Sequence, residues 1–184
     1  FANTVPFSEN VGFVAKPEDG KEGGVDYTYA ITAHELAHQW WGHQVIGAGT
    51  QGATMLIESL SEYSSLKVLE KRYGKDKMRK FLKFQLDRYL LMRSAERKKE
   101  QPLLYVENQP YIHYRKGSMV FYALSDYIGE DKLNGILSSF IDSVKYQEAP
   151  YTTSLELLSL LKAGTPDSLQ YVIEDMFENI TLYD

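Results

Sequence analysis

The sequence contains no cysteine. This absence excludes disulfide frameworks, cysteine-ligated zinc, iron–sulfur clusters and thiol nucleophiles, so any metal site must be built from histidine and carboxylates. Histidine is also scarce, with four residues in 184. Two of the four, His34 and His38, lie four positions apart. Metal binding through this pair is therefore the first possibility that the sequence raises.

Positive charge is in deficit as well. Lys and Arg number 20 against 25 Asp and Glu, which gives a formal net charge of −5. This sign disfavours a nucleic-acid partner, and we expect none.

No run approaches the roughly 18 apolar residues that span a bilayer, and no basic start followed by an apolar run marks a signal peptide. The sequence therefore predicts a folded domain with no membrane segment of its own.

Most of the chain has helical periodicity, with extended segments expected at residues 1–15 and 180–184. The five long helices are predicted from Asp26 to about Gly42, Thr54 to Tyr73, Asp76 to about Lys98, Tyr111 to Ile128 and Asp131 to about Val144. A capping box at Thr153–Glu156 and the pair Thr165-Pro166 predict two further short helices. We expect a mainly α fold in which residues 1–184 form one domain cut from a longer protein.

The first predicted helix carries the sequence His34-Glu35-Leu36-Ala37-His38, which has the form H-E-x-x-H. Residues four apart lie about 40° apart around an α-helix, so both imidazoles can reach one ion. Glu35 lies about 100° from His34 and is better placed to reach a water on that ion. Two imidazoles and one carboxylate leave the fourth tetrahedral position of zinc open to water, whose pKa then falls to about 7. The motif predicts a hydrolytic metal site.

Chance explains the motif poorly, because four histidines in 184 residues give roughly 0.007 expected copies. The third ligand is expected from the next helix, where Glu58 and Glu62 lie four apart and share a face. One should bind the ion and the other should hydrogen-bond a ligand imidazole from behind. Composition alone does not decide which of the two glutamates takes which role. The competing interpretation is that either glutamate is a solvated charge on the helix surface.

The remaining histidines and the tryptophans receive other interpretations. His43 lies nine residues after His34 and should point away from the metal if the helix continues that far. His113 is interpreted as a loop or helix-start residue rather than a ligand. Trp40 and Trp41 are assigned to the core rather than to a substrate platform.

The run from His34 to Gly42, His-Glu-Leu-Ala-His-Gln-Trp-Trp-Gly, resembles the zinc helix of the gluzincin aminopeptidases, the family of aminopeptidase N. In that family H-E-x-x-H-Q-W is followed about twenty residues later by a glutamate in an N-E-G-x-x-x-Y setting. The segment Glu-Ser-Leu-Ser-Glu-Tyr at 58–63 resembles this second element. The resemblance implies a thermolysin-like zinc-peptidase catalytic domain with one zinc ion on His34, His38 and Glu58. Glu62 then becomes the residue expected to hold a ligand imidazole.

Two further elements match in the same order. Tyr114-Arg115-Lys116-Gly117 resembles the Y-x-K-G element, whose tyrosine stabilises the oxyanion in the family. Residues 6–10, Pro-Phe-Ser-Glu-Asn, lie where the family carries G-x-M-E-N, whose glutamate binds the free α-ammonium of the substrate. The resemblance thus implies a peptide substrate and aminopeptidase activity. It makes Glu35 the base, Tyr114 the oxyanion donor and Glu9 the amine-binding residue.

The sequence departs from the family pattern at several positions. One extra residue lies between the second histidine and the zinc glutamate. Ile57 and Ser59 replace the asparagine and glycine that flank this glutamate in the family, and Pro6 and Ser8 replace the glycine and methionine of the upstream element. The upstream changes bear on exopeptidase specificity, because that specificity depends on Glu9.

The amino-acid sequence of these elements is most similar to that of a bacterial branch of the family. In this branch the peptidase domain is attached to a membrane protein of ABC-transporter permease type. Membrane attachment of the full protein is therefore expected, although this segment has no span and its localisation stays open.

Two alternatives to an aminopeptidase are kept. One is a catalytically weak peptidase-like module that binds peptides or partner domains for an attached transporter. The other is an endopeptidase of the same clan.

Overall fold

The computed structural model describes residues 2–6, 8–10 and 26–182. Within these residues the α-helices are α1 (Tyr27–Ala37), α2 (Leu60–Tyr73), α3 (Lys75–Ala95), α4 (Gly117–Ile128), α5 (Glu130–Val144), α6 (Ser154–Gly164) and α7 (Gln170–Ile173). The π-helical segments are Met55–Ser59, Tyr111–Lys116 and Glu174–Glu178, and the 3₁₀ turns are Leu103–Tyr105 and Asp167–Leu169. The described residues contain no β-strand, only isolated bridges. The prediction of a mainly α fold is confirmed.

The two ends, where extended segments are expected, are described only in part. Residues 2–6 and 8 form no regular element, residues 9 and 10 have helical geometry, and residues 180–182 again form none. The rest of these two segments lies outside the described residues. No helix in the described part is both long and apolar enough to cross a bilayer.

Helix α1 begins as the sequence predicts and ends five residues earlier. The Asp26 carboxylate accepts a hydrogen bond from the Tyr29 backbone N–H at 3.0 Å, which is the capping contact expected at this position. The helix ends at Ala37, so the predicted boundary at Gly42 is wrong, and His38 is the C-cap residue. The chain then turns through Gly42, whose φ of +118° suits glycine alone. This early ending brings the Trp41 carbonyl back towards His38.

Two glycines separate the long helices, as the sequence indicates. Gly74 ends α2 with φ of +84°, and Gly129 separates α4 from α5 with φ of +94°. Both values lie in the left-handed region, where a side chain would be strained. The sharp turns let α2 and α3 pack against each other, and α4 and α5 do the same.

Three predicted capping hydrogen bonds do not form among the described residues. The Thr54 hydroxyl donates to the Val106 carbonyl at 3.0 Å, and α2 is preceded by the π-helical segment Met55–Ser59. Thr153 makes no side-chain capping bond to α6. The Thr165 hydroxyl donates to the carbonyl of Leu161 in the preceding helix. Other contacts therefore outweigh the local capping pattern at Thr54 and Thr165, whereas Thr153 keeps the N-cap position of α6 without the side-chain bond.

Helix α2 is the centre of the bundle and packs against α1, α3 and α4. Its inward face contributes Leu60, Leu66 and Leu69, each at most 2% exposed. Burying a side chain of this size stabilises the fold by roughly 1.5–3 kcal/mol. Farther along, Phe121 of α4 meets Phe177 edge to face, with 5.3 Å between ring centroids. The apolar core thus fixes the position of α2 within the bundle.

A buried ion-pair cluster ties α3 to the second π-helical segment. Lys116 is fully buried, and its Nζ donates to Glu100 Oε1 at 2.7 Å. The other Glu100 oxygen accepts from Arg93 Nε at 2.6 Å, and the Tyr89 hydroxyl lies 3.0 Å from both oxygens. Donors thus surround the carboxylate completely. We call Tyr89, Arg93, Glu100 and Lys116 the ion-pair cluster.

Candidate active site

Three side chains from α1, its C-cap position and the first π-helical segment converge on one point. His34 Nε2 lies 3.0 Å from His38 Nε2, and Glu58 Oε2 lies 3.4 and 3.5 Å from these two atoms. The three residues form a group that can hold a metal ion. We call His34, His38 and Glu58 the metal cluster.

The cluster fits a tetrahedral ion of the size of zinc. Zinc binds imidazole nitrogen and carboxylate oxygen at about 2.0–2.2 Å, which places tetrahedral ligand atoms about 3.3 Å apart. The measured separations of 3.0, 3.4 and 3.5 Å bracket this value. Glu58 Oε2 is also buried and accepts no hydrogen bond from the described residues. A buried acceptor without a donor is costly, so its position favours a cation as partner.

His38 is oriented by the turn that follows α1. Its Nδ1 lies 2.9 Å from the Trp41 carbonyl oxygen, and the Ser61 hydroxyl lies 3.1 Å from the same nitrogen. A carbonyl only accepts, so the proton belongs on Nδ1 and the Nε2 lone pair faces the cluster. The early end of α1 is therefore what prepares this histidine as a ligand.

His34 is oriented by side chains instead. Its Nδ1 lies 2.8 Å from Glu62 Oε2, and Glu62 is itself contacted by Gln85 and Arg115. The contact has the distance of an ion pair rather than the geometry of a hydrogen bond. The negative charge beside Nδ1 still favours the proton there and so leaves Nε2 free to bind a cation. Both candidate glutamates thus lie at the site, Glu58 at the convergence point and Glu62 behind His34. The competing interpretation of Glu62 as a solvated surface charge is wrong.

Electrostatics in the cluster favour positive charge at its centre. Burial lowers the pKa of His34, but the carboxylates of Glu58 and Glu62 beside it outweigh burial and raise this pKa to about 9. Burial conversely raises the pKa of Glu58, yet His34 and His38 hold it well below its usual range. Burial also opposes ionisation of Glu62, and the contact with His34 again prevails, so the pKa of Glu62 is lowered. Two carboxylates therefore stabilise a cation there, whether proton or metal.

A pocket of about 240 Å³ opens beside the cluster. His34, Glu35 and Tyr114 lie on its polar side, and the Tyr114 ring centroid is 5.8 Å from that of His34. The apolar side is lined by Tyr27, Ile31, Leu66, Leu69, Phe81 and Phe84. Burial, together with Glu58, Glu62 and Glu35, raises the pKa of Tyr114, so its hydroxyl stays protonated at neutral pH. The pocket therefore offers a carboxylate and a phenolic donor beside the metal cluster.

The two π-helical segments that carry Glu58 and Tyr114 pack directly on each other. The Ser59 hydroxyl donates to the His113 carbonyl at 2.6 Å. A Cβ on Gly117 would lie 2.2 Å from Ser59 Oγ, so only glycine permits this approach. π-Helical turns occur often at functional sites, because the extra residue in the turn redirects a side chain. The Ser59–Gly117 contact thereby sets the distance between the metal cluster and Tyr114.

Glu9, the residue expected to bind the substrate amine, is exposed. It belongs neither to the metal cluster nor to the residues that line the adjacent pocket. The described residues therefore do not bring Glu9 to the site.

The other histidines stand outside the metal cluster. His43 Nδ1 lies 2.6 Å from the His38 carbonyl, in the turn after α1 rather than on a continuing helix. His113 is buried in the second π-helical segment, and its ring centroid is 4.7 Å from that of Tyr114. Burial lowers the pKa of His113.

The assignment of both tryptophans to the core is correct only for Trp41. Trp41 is 5% exposed, whereas Trp40 is 45% exposed. Both residues lie in the turn after α1, where only the Trp41 ring is directed into the core.

Sequence reasoning missed Gln85, Arg115 and the Trp41 carbonyl. Gln85 had a detectable signal, because it interrupts the apolar spacing of α3 between Phe81 and Tyr89 and is only 6% exposed. Arg115 adjoins Tyr114 in the Y-x-K-G element, but its identity alone indicates no partner. Nothing in the sequence indicated the role of the Trp41 carbonyl, because a backbone atom acquires such a role only through the turn after α1.

Comparisons with known proteins agree with this geometry. Residues 7–176 match the peptidase family M1 domain. The structure resembles that of a two-domain M1 zinc metallopeptidase, solved as a mutant bound to L-tryptophan, with 22% identity and a TM-score of 0.64. It also resembles an M1 zinc metallopeptidase from Deinococcus radiodurans, in a mutant bound to a Tyr-Ser-Ala substrate, with the same identity and TM-score.

Each of these alignments covers 84% of this chain and 34% of the solved chain, so this chain spans about a third of the length of the proteins it resembles. Comparison with curated protein sequences found no match. At 22% identity, the structural likeness shows the fold, while the match over residues 7–176 shows the family. The chain belongs to peptidase family M1, whose metal is zinc.

Proposed function

We propose that this chain is the catalytic domain of a zinc aminopeptidase that releases N-terminal residues from peptides. The observation that carries the proposal is the metal cluster, whose three ligand atoms have tetrahedral spacing in a chain of family M1. Glu35 and Tyr114 line the adjacent pocket and supply the remaining groups for hydrolysis. The proposal treats residues 1–184 as one such domain within a longer protein.

In this proposal His34, His38 and Glu58 hold the ion. Zinc in such a site acts as a Lewis acid and makes water nucleophilic near neutral pH. Glu35 accepts a proton from the attacking water and returns it to the leaving amine. The Tyr114 hydroxyl donates a hydrogen bond to the oxyanion that forms at the scissile carbonyl. Glu62 keeps the His34 proton on Nδ1 throughout.

Specificity for a free N-terminus is the finer part of the proposal. Its support is the resemblance of residues 6–10 to the amine-binding element of the family, with Glu9 in the glutamate position. The M1 structure bound to Tyr-Ser-Ala adds support, because that substrate is a short peptide. Glu9 would have to come close to the pocket when a substrate is bound.

The test of the chemistry uses the full-length protein loaded with zinc. Glu35→Gln should lower kcat by about 10²–10⁴-fold while zinc content stays near one per chain. Tyr114→Phe should lower kcat by about 10²–10³-fold. Glu107→Gln and Tyr127→Phe remove the same groups from exposed positions and serve as matched controls. Unchanged hydrolysis in Glu35→Gln would refute the assigned base.

The test of specificity compares peptides with free and acetylated N-termini. An aminopeptidase should cleave only the free peptides, and Glu9→Gln should raise KM for them. Equal cleavage of both would identify an endopeptidase and remove the role of Glu9. Tight peptide binding without turnover, in zinc-loaded protein, would identify the binding module instead.

The resemblance to a bacterial branch adds attachment to a permease-type membrane protein to the proposal. Its test is the full-length sequence, which should contain segments of 18 or more apolar residues outside residues 1–184. A full-length protein without such segments would contradict this part and leave the chemistry untouched.

A further inference from the structure

Three polar side chains from three elements form a connected chain behind His34. Glu62 belongs to α2, Gln85 to α3 and Arg115 to the second π-helical segment. Gln85 Nε2 donates to Glu62 Oε1 at 2.7 Å, and Arg115 Nη1 donates to Gln85 Oε1 at 3.0 Å. Arg115 Nη1 also lies 3.4 Å from Glu62 Oε1. We call Glu62, Gln85 and Arg115 the support chain.

The chemistry of the groups fixes the direction of the support chain. Arg115 has only donors, so it requires the amide oxygen of Gln85. The amide NH₂ must then face Glu62, whose carboxylate has only acceptors. With Oε1 occupied by these donors, Oε2 is the oxygen left to face His34 Nδ1, at 2.8 Å. The orientation of His34 is therefore determined by Gln85 and Arg115, which contact Glu62 rather than His34 itself.

Gln85 also occupies a position that α3 otherwise fills with apolar side chains. It is 6% exposed and lies between Phe81 and Tyr89, which are both buried. A buried amide is costly unless both of its ends are hydrogen-bonded, and here both are. A methionine would fill the same space without this requirement. Packing alone therefore gives no reason for a glutamine at this position.

We propose that Gln85 and Arg115 are positioning residues that set the zinc affinity of the site by holding Glu62, and through it His34. The inference rests on the proposed function, because it presumes zinc on His34, His38 and Glu58. Neither residue has to touch the substrate for this role. Arg115 also lines the pocket, so a direct substrate contact is the alternative that the experiment must separate.

The experiment measures the zinc dissociation constant of the full-length protein by competition with a chromophoric chelator. Gln85→Met and Arg115→Met should each weaken zinc binding, Gln85→Met by about tenfold, the low end of what the loss of an outer partner costs. The side chain of Arg115 is 26% exposed, so Arg115→Met should fold even if Gln85→Met does not.

Two control variants measure the effect of generic destabilisation. Gln109→Met removes another buried glutamine, which donates to the Lys99 carbonyl and the Tyr111 hydroxyl instead. Arg79→Met removes an exposed arginine from the same helix as Gln85. Both should leave the zinc dissociation constant unchanged. A tenfold loss in either control would overturn the assignment to the support chain.

Coupling to Glu62 gives a second readout. In a Glu62→Gln background the held carboxylate is absent, so adding Gln85→Met should change zinc affinity by less than about twofold. Equal losses in both backgrounds would overturn the proposal, as would unchanged affinity in both single variants. A higher KM for Arg115→Met at unchanged zinc affinity would assign Arg115 to substrate binding. Absence of zinc binding by the unmodified protein would refute the proposed function itself, which is a different outcome.

Discussion

The bundle contains two buried polar clusters with opposite hydrogen-bonding status. In the ion-pair cluster, both oxygens of Glu100 have donors, from Lys116 and Tyr89 on one side and Arg93 on the other. In the metal cluster, Glu58 Oε2 is buried and has no donor among the residues that the structure describes. Two imidazole nitrogens lie 3.4 and 3.5 Å from it, which is the spacing of ligands around an ion rather than of a close hydrogen bond.

This difference separates stability from function. A satisfied buried network holds elements together, and here it ties α3 to the segment that carries Tyr114. An unsatisfied convergence of lone pairs is tolerated only where a cation completes it. Variants in the two clusters should therefore fail in different measurements, zinc binding for one and unfolding for the other.

The largest effect is expected for Glu58→Gln. It removes the only carboxylate ligand of the cluster, so zinc affinity should fall more than 100-fold, beyond the range for an outer partner. Far-ultraviolet circular dichroism should stay unchanged, because the helices do not depend on this oxygen. Retention of tight zinc binding by Glu58→Gln would contradict the assigned ligand set.

Next in size is Glu100→Gln in the ion-pair cluster. It leaves Lys116 buried without its counter-charge, which should lower the free energy of unfolding by about 3 kcal/mol. Chemical denaturation of the zinc-free full-length protein measures this loss. Zinc affinity of the folded variant should change little, and a large change would show that the two clusters are coupled.

A smaller loss is expected for Glu62→Gln, which keeps the shape of the side chain but weakens its hold on His34. Zinc affinity should fall about 10–100-fold, and chelator competition measures it. The free energy of unfolding should change less than in Glu100→Gln. The reverse ranking would mean that Glu62 belongs with the stabilising cluster.

Acid should distinguish the clusters as well. Burial raises the pKa of Glu100, but Lys116 and Arg93 outweigh burial, so the pKa lies below its ordinary value. The stabilisation from this carboxylate is therefore present above the unfolded-state pKa of 4.5 and is lost as the pH falls through the folded-state value. The difference in unfolding free energy between the wild type and Glu100→Gln should shrink below about pH 4.5. A pH-independent difference would contradict this account.

The smallest effect is expected for Ser61→Ala. The Ser61 hydroxyl lies 3.1 Å from His38 Nδ1, but the Trp41 carbonyl is closer, at 2.9 Å, and already accepts the hydrogen bond from Nδ1–H. Zinc affinity should change less than about threefold. A larger loss would show that the hydroxyl, rather than the turn, orients His38.

Much of the metal site could be predicted from sequence because its first part is local. Two histidines four apart share a face of any α-helix, and the geometry of the helix does the rest. The assignment of the third ligand depended on the family resemblance, which made Glu58 the ligand and Glu62 the residue behind His34. Composition alone could not distinguish these two roles. The caps at Thr54 and Thr165 failed because their hydroxyls bond elsewhere. Thr54 bonds to the Val106 carbonyl, which only the folded chain brings near, and Thr165 bonds back to Leu161 of the preceding helix.

The sequence alone thus determined a mainly helical chain, a histidine and carboxylate metal site and, through its motifs, the family. It could do so because helix periodicity and motif spacing are properties of neighbouring residues. Only the tertiary structure decided that α1 ends at Ala37, that the Trp41 carbonyl orients His38, and that Gln85 and Arg115 stand behind Glu62. The contacts behind Glu62 join residues on separate elements, which the mutual packing of α2, α3 and the second π-helical segment brings together, whereas the Trp41 contact depends on the turn after α1.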